Sequence, residues 1–212
     1  MNSVAIIDYG MGNLHSIAKA LERVAPAGLR VQVSRDPDLI RKAGRVVFPG
    51  VGAIAHCMEE LGRLGLDQVI REVAGQRPLL GVCLGMQALL DESEENGGTS
   101  GLGLIPGRVR RFPGDLRDAS GAPLKVPHMG WNQVRQHPHP LWDGIGQDSR
   151  FYFVHSYYVV PDREEDVAGT AAYGIEFAAA VSHGNLFAVQ FHPEKSQKAG
   201  LRLLENFLRW DG

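Results

Sequence analysis

Cysteine is scarce in this chain, with 2 among 212 residues. A disulfide framework needs more, so both thiols are read as free. No apolar run approaches the roughly 20 residues of a membrane-spanning helix. Met1 to Gly10 has no basic segment ahead of its short apolar run, so no secretory leader is expected there. The reading that follows is cytoplasmic, with no membrane partner. Neither sign of charge dominates: 22 Lys and Arg against 24 Asp and Glu leave a net charge of −2. No global field therefore draws the chain to nucleic acid or an anionic lipid surface. The short basic stretch at Arg108, Arg110 and Arg111 lacks the interleaved aromatics of an RNA-binding face. His137 and His139 have no third and fourth ligand nearby in sequence, so no metal site is expected. No repeat, low-complexity tract or linker interrupts residues 1–212, which are read as one domain around one core.

What is present alternates. Val4 to Ile7 is a short β-branched run, followed by Leu14, Ile17, Ala18 and Leu21 at helical spacing. Val31 to Val33 and Arg45 to Phe48 are further strands, the latter expected to stop at Pro49 and Gly50. A helix carrying Ile54, Met58, Leu61, Val69 and Ile70 follows, weakened at Gly62 and Gly65. Leu79 to Val82 is a fourth strand, and Leu84 to Leu90 a helix. Continuous apolar strands alternating with helices predict an α/β fold, with a mostly parallel sheet covered on both faces. From about residue 96 the pattern changes to a glycine-rich loop and then mainly strands: Arg108 to Phe112, Phe151 to Val160, Phe177 to Ser182 and Leu186 to Phe191. His183-Gly184-Asn185 reads as a hairpin turn. Leu201, Leu204, Phe207 and Leu208 share one face of a last helix.

Gly81-Val82-Cys83-Leu84-Gly85 lies between a buried strand and a helix. It has the G-x-S-x-G pattern of a nucleophile elbow, with cysteine in place of serine. Small residues on either side leave space for a tight strand-to-helix turn. The N-terminus of the following helix favours a thiolate and offers backbone N–H groups to an oxyanion, Leu84 first. Cys57 has no such setting and is read as a packing residue. A thiol nucleophile needs a base, and the base needs an orienting group. His192-Pro193-Glu194 directly follows the run Leu186 to Phe191. His192 then stands at a strand end, with Glu194 two residues on to hold its tautomer. Alone, His-Pro-Glu is equally a solvated turn; together with the elbow it reads as a Cys83–His192–Glu194 triad. His15, His128 and His183 sit at apparent turns. Gly10-Met11-Gly12-Asn13 lacks the third glycine of a dinucleotide loop and reads as a structural turn or a partner-facing loop.

With these motifs in hand, the chain resembles the class I (triad) glutamine amidotransferases, and within them the glutaminase subunits of imidazole glycerol phosphate synthases. The resemblance rests on Asp8 to Asn13, Pro49-Gly50-Val51-Gly52-Ala53, Gly81 to Gln87, Val126-Pro127-His128-Met129-Gly130-Trp131-Asn132, His155-Ser156-Tyr157 and Phe191 to Ser196. Residues 136–149 match no motif. The resemblance implies a flavodoxin-like fold with an added antiparallel strand region in the C-terminal half. It implies hydrolysis of glutamine through a cysteine thioester, with no metal or organic cofactor. The ammonia would pass to a (β/α)8-barrel cyclase in a heterodimer. Gln87 is implied to face the glutamine pocket, with His155, Ser156 and Tyr157 holding the amino-acid end. Gly52 and Leu84 are implied to supply the oxyanion donors, and Lys195 and Asn13 to face the partner. The plainer readings are a helix-face polar residue for Gln87 and a solvated cation for Lys195. Alternatives with the same triad are a glutaminase serving another ammonia-channelling synthase and a stand-alone γ-glutamyl hydrolase. The glycines around Val51 make a peptide flip cheap there, so the subunit is expected to be nearly idle until a partner favours the active orientation.

Overall fold

The strand and helix segments line up in a computed structural model that describes residues 2–212. The elements are β1 (Ser3–Ile7), α1 (Leu14–Val24), β2 (Arg30–Ser34), α2 (Pro37–Lys42), β3 (Arg45–Gly50), α3 (Ile54–Leu64), α4 (Leu66–Ala74), β4 (Leu79–Cys83), α5 (Leu84–Ala88) and β5 (Leu90–Ser93). After these come β6 (Thr99–Ser100), β7 (Ile105–Arg111), β8 (His128–Gln133), β9 (Arg135–Gln136), β10 (Arg150–His155), β11 (Tyr157–Pro161), β12 (Val167–Tyr173), β13 (Ile175–His183), β14 (Leu186–Val189) and α6 (Gln197–Arg209). Strands β2-β1-β3-β4-β14 run parallel in that order. This is the 2-1-3-4-5 succession of flavodoxin-like sheets. The sheet then continues through β13, β11 and β7, antiparallel to one another, and through β5 and β6. Strands β8 and β10 form a separate antiparallel pair.

The core follows from strand alternation. Val4 and Ile6 of β1 join Leu80, Val82, Phe187 and Val189 under helices α1 and α6, through Ile17, Leu21, Leu203, Leu204 and Phe207. Ala5 and Ile7 point the other way, onto Ile40, Ile54, Leu61, Val69 and Ile70 of α2, α3 and α4. With both faces covered, the central strands have no polar side to keep. That is why they read as continuous apolar runs.

Several sequence expectations change in tertiary context. The helix expected over residues 54–70 is two helices, broken at Gly65, which takes φ 66° and a left-handed conformation. Strand β3 does not stop at Pro49: it runs to Gly50, which pairs with Cys83. The helix expected to reach Leu90 ends at Ala88, because Leu90 pairs with Ile105 of β7 and the carbonyls of Ala88 and Leu89 accept the N–H groups of Leu102, Leu104 and Ile105. The run Phe151 to Val160 divides at Ser156, with β10 in the small sheet and β11 in the large one. His128 lies in a strand and is buried, not at a turn. The hairpin at Gly184-Asn185 is as read, with His183 opposite Leu186.

Candidate active site

Three neighbouring parallel strands, β3, β4 and β14, deliver the site from their carboxyl ends, where open α/β sheets bind ligands. Cys83 ends β4 with φ 55° and ψ −109°, a strained conformation for a residue with a side chain. Its glycine neighbours have a steric cause. A Cβ on Gly81 would meet Ala188 Cβ at 2.9 Å and Leu89 Cδ1 at 3.0 Å, and one on Gly85 would overlap the Phe48 carbonyl. The helix that follows has only 5 residues. Its contribution to a thiolate or oxyanion therefore comes from the first free N–H groups, since so short a helix has little macrodipole.

His192 follows β14, and its ring Nδ1 lies 2.9 Å from Glu194 Oε1, with both side chains 3% exposed. The turn is clamped from two sides. Ser196 Oγ donates to the His192 carbonyl at 2.6 Å and accepts the Tyr152 N–H at 2.9 Å, and the His192 N–H donates to the Tyr152 carbonyl at 2.9 Å. Burial disfavours the imidazolium, but the nearby Cys83 sulfur and the Glu194 carboxylate outweigh it and raise His192 to about 9. Among the described residues, Nε2 makes no hydrogen bond. The Cys83 Sγ lies 4.0 Å from the Val154 carbonyl and 3.7 Å from Gln190 Nε2.

These groups open on a cavity of about 300 Å³ lined by Gly52, Cys83, Leu84, Gln87, Glu95, His155, Ser156, Tyr157 and His192, among others. That is the small end of ligand pockets, in keeping with an amino-acid-sized substrate. Every pocket residue read from sequence (Gly52, Leu84, Gln87, His155, Ser156, Tyr157) lies on this wall together with Cys83 and His192. Gln87 does more than line it: its Nε2 donates to the Tyr157 carbonyl at 3.2 Å and to Gln190 Oε1 at 3.0 Å. The glycines of the 49–53 loop differ in role. Gly52 takes φ 95°, whereas a Cβ on Gly50 would press on Leu84 Cβ at 2.9 Å and collide with the Tyr9 hydroxyl. Gly50 is a packing glycine, and Gly52 is the one with freedom to turn. Asn13 and Lys195 stand apart from the pocket wall. Asn13 caps α1 by accepting the Ser16 N–H at 3.3 Å, and Lys195 is exposed with Nζ 5.9 Å from the centre of the Tyr152 ring. A crevice of about 10 Å³ lies among Asn13, Gly50, Val51, His192 and Glu194.

Polar side chains at the site that escaped the sequence reading include Gln190 and Glu95. Gln190 is fully buried beside the thiol; its only signal was an amide inside an apolar run. Glu95 lines the cavity while its Oε2 accepts the Ile54 N–H at 2.9 Å and so caps α3. Nothing local distinguishes it from Glu94. His137 and His139 are held by hydrogen bonds to the Val167 carbonyl and to Ser182 Oγ, at 2.8 and 3.1 Å. Among the described residues, no cluster of three or more His, Cys, Asp or Glu is arranged for a metal, and no helix is long and apolar enough to cross a membrane.

The sequence model for class-I glutamine amidotransferases matches residues 5–210. The chain belongs to the class I glutamine amidotransferases. Its relatives within that family are close. The imidazole glycerol phosphate synthase subunit HisH of Methylococcus capsulatus is 63% identical, with 100% of this chain and 98% of that protein aligned. The corresponding subunit HisH 1 of Pseudomonas aeruginosa is 61% identical over 100% of this chain and 99% of its own length. A crystal structure of a glutamine amidotransferase superposes with a TM-score of 0.68 at 22% identity, covering 97% of each chain. That likeness supports the fold that the family resemblance implies.

Proposed function

We propose that this glutamine amidotransferase is the glutaminase subunit of an imidazole glycerol phosphate synthase, acting in histidine biosynthesis with residues 1–212 as one catalytic unit. The observation that carries the reading is the convergence of an elbow cysteine and a buried His–Glu pair on one small cavity, in a chain 63% identical to a HisH subunit. In this mechanism the Cys83 thiolate attacks the side-chain amide carbon of glutamine. The oxyanion is met by the Leu84 N–H and, once the loop is suitably turned, by an N–H at Gly52. His192, held charged by Glu194, gives its proton to the departing ammonia. It then draws a proton from the water that hydrolyses the thioester, and glutamate leaves. Both N–H groups of Gln87 are engaged, so its carbonyl oxygen is what it offers to substrate. The Glu95 carboxylate on the same wall suits the substrate ammonium.

The ammonia goes to a cyclase subunit built on a (β/α)8 barrel, in a cytoplasmic heterodimer. Lys195 and Asn13 are the residues we assign to that interface. Support comes from the exposed Lys195 ammonium one residue after Glu194, and from the water-sized crevice beside Asn13, His192 and Glu194. The test is glutamate release by the subunit alone, by the complex, and by the complex with cyclase ligand. Turnover should rise roughly 100-fold or more in the last, the scale of gaining one oxyanion donor. Equal kcat/KM in all three would instead identify a stand-alone hydrolase.

A further inference from the structure

Gln190 is a carboxamide with no solvent access, packed against two residues of the active-site wall, Cys83 and Gln87. A methionine or leucine would fill the same space without a desolvation cost, so an amide there must be held by partners. Its Oε1 accepts from Gln87 Nε2 at 3.0 Å, and its Nε2 donates toward Cys83 Sγ at 3.7 Å. Its own backbone N–H is tied to the Ala179 carbonyl at 2.9 Å. The main chain therefore cannot shift to relieve the side chain.

The direction of these bonds is determined from the far end. The Tyr157 carbonyl can only accept. It lies 2.7 Å from His155 Nδ1 and 3.2 Å from Gln87 Nε2, so both must donate to it. His155 Nε2 is then the acceptor of a proton from His128 Nδ1, 2.9 Å away. Gln87, with its amide nitrogen turned to Tyr157, presents the same nitrogen to Gln190. Gln190 must answer with oxygen, which leaves its N–H groups aimed at the sulfur. Reversing Gln190 would set two amide nitrogens against each other and an oxygen lone pair against a thiolate.

We propose that Gln190 is a positioning residue for the nucleophile: one N–H of its amide holds the Cys83 sulfur, in an orientation dictated by Gln87 and the Tyr157 carbonyl. The proposal rests on the glutaminase reading above. A donor at sulfur favours thiolate over thiol, as a donor to any charged acceptor favours the ionised form. The competing group is the Val154 carbonyl at 4.0 Å from the sulfur, which can only accept and so favours the protonated thiol. The same carboxamide thus links the wall that binds glutamine to the atom that attacks it.

The experiment is alkylation of Cys83 by iodoacetamide across a pH series, followed by mass spectrometry of the Cys83 peptide, in the complex with cyclase. Gln190→Met removes the donor and keeps the volume; Gln190→Leu removes it with a shorter apolar side chain. In both, alkylation at neutral pH should slow about tenfold and recover as pH rises, with kcat falling by a similar factor and KM for glutamine changing little. Gln190→Leu guards against a folding defect in the methionine variant, since the two fill the site differently and both lack a donor. An unchanged alkylation profile in either folded variant overturns the proposal, as does a raised KM with unchanged alkylation. Failure of the glutaminase reading would look different: the wild-type complex would release no glutamate while the alkylation profiles still separated.

Discussion

Two buried histidine arrangements meet at the active-site cavity, through His155 and His192, and differ in charge. His128 and His155 are 3% and 6% exposed. Their rings lie against Phe112, Phe153, Tyr173 and Phe177. His192 is 2% exposed. Burial alone pushes His128 down to about 4, and burial is the main reason His155 falls to about 3. His192 is as deeply placed but stands beside Glu194 and the Cys83 sulfur, and is raised to about 9. Burial by itself therefore does not decide the charge of these histidines; the sulfur and the carboxylate beside His192 do. The neutral pair can serve as a rigid wall that accepts and donates in one fixed sense. The charged one can deliver a proton.

The sharpest way to break this comparison is to remove the sulfur that the charged histidine serves. Cys83→Ala should lower glutamine hydrolysis by about 10⁴-fold or more, while the cyclase still uses added ammonium. Cys57→Ala is the control. Cys57 is buried among apolar side chains, and burial raises its thiol to about 12, so turnover should hardly change. Hydrolysis persisting in the Cys83 variant would sink the nucleophile assignment.

Glu194→Gln attacks the feature that separates the two arrangements. kcat should fall by about 10²–10⁴ with KM little altered. NMR titration should show His192 dropping from about 9 toward an ordinary imidazole. A variant with a raised KM as its only defect would make Glu194 a binding residue.

The two arrangements also bound stability on opposite sides. His128 and His155 are depressed below their ordinary 6.5. The unfolded chain therefore binds their protons first, and stability is lost as pH falls from 6.5 through about 4 to 3. His192 is raised, so its contribution is complete below 6.5 and is lost as pH rises through about 9. Unfolding free energies from urea titrations across pH should fall on both flanks, by on the order of a few kcal/mol per histidine. In Glu194→Gln the alkaline flank should flatten while the acid flank stays.

The smallest effect sharpens the rule itself. Asn132 Nδ2 lies 3.4 Å from His128 Nε2. Asn132→Asp puts a carboxylate where the neutral pair has none, and should lift His128 well above its value of about 4 in an NMR titration. A His128 that does not move would mean that its aromatic surroundings, and not the missing counter-charge, keep it neutral.

Much of the chemistry is legible in the order of the residues. The glycines around Cys83 announce a tight turn because their steric demand acts on residues next to them in sequence. His192 and Glu194 announce a pair because they stand two positions apart. The parallel core is equally plain, since strands covered on both faces have no polar positions. Context overruled local pattern at Leu90, drawn from a helix into β5 by pairing with Ile105, and at Pro49 and Gly50, carried on in β3 by pairing with Val82 and Cys83. The sequence by itself determined the candidate nucleophile, the His–Glu pair proposed to serve it and the α/β frame, because each is written in spacings of a few residues. Only the tertiary structure decided what surrounds them. Gln190 meets Gln87 across 103 residues of chain, and His128 meets His155 across 27. Such contacts depend on which strands become neighbours and in what register, and hydrogen bonds between distant segments leave no periodicity from which to read them.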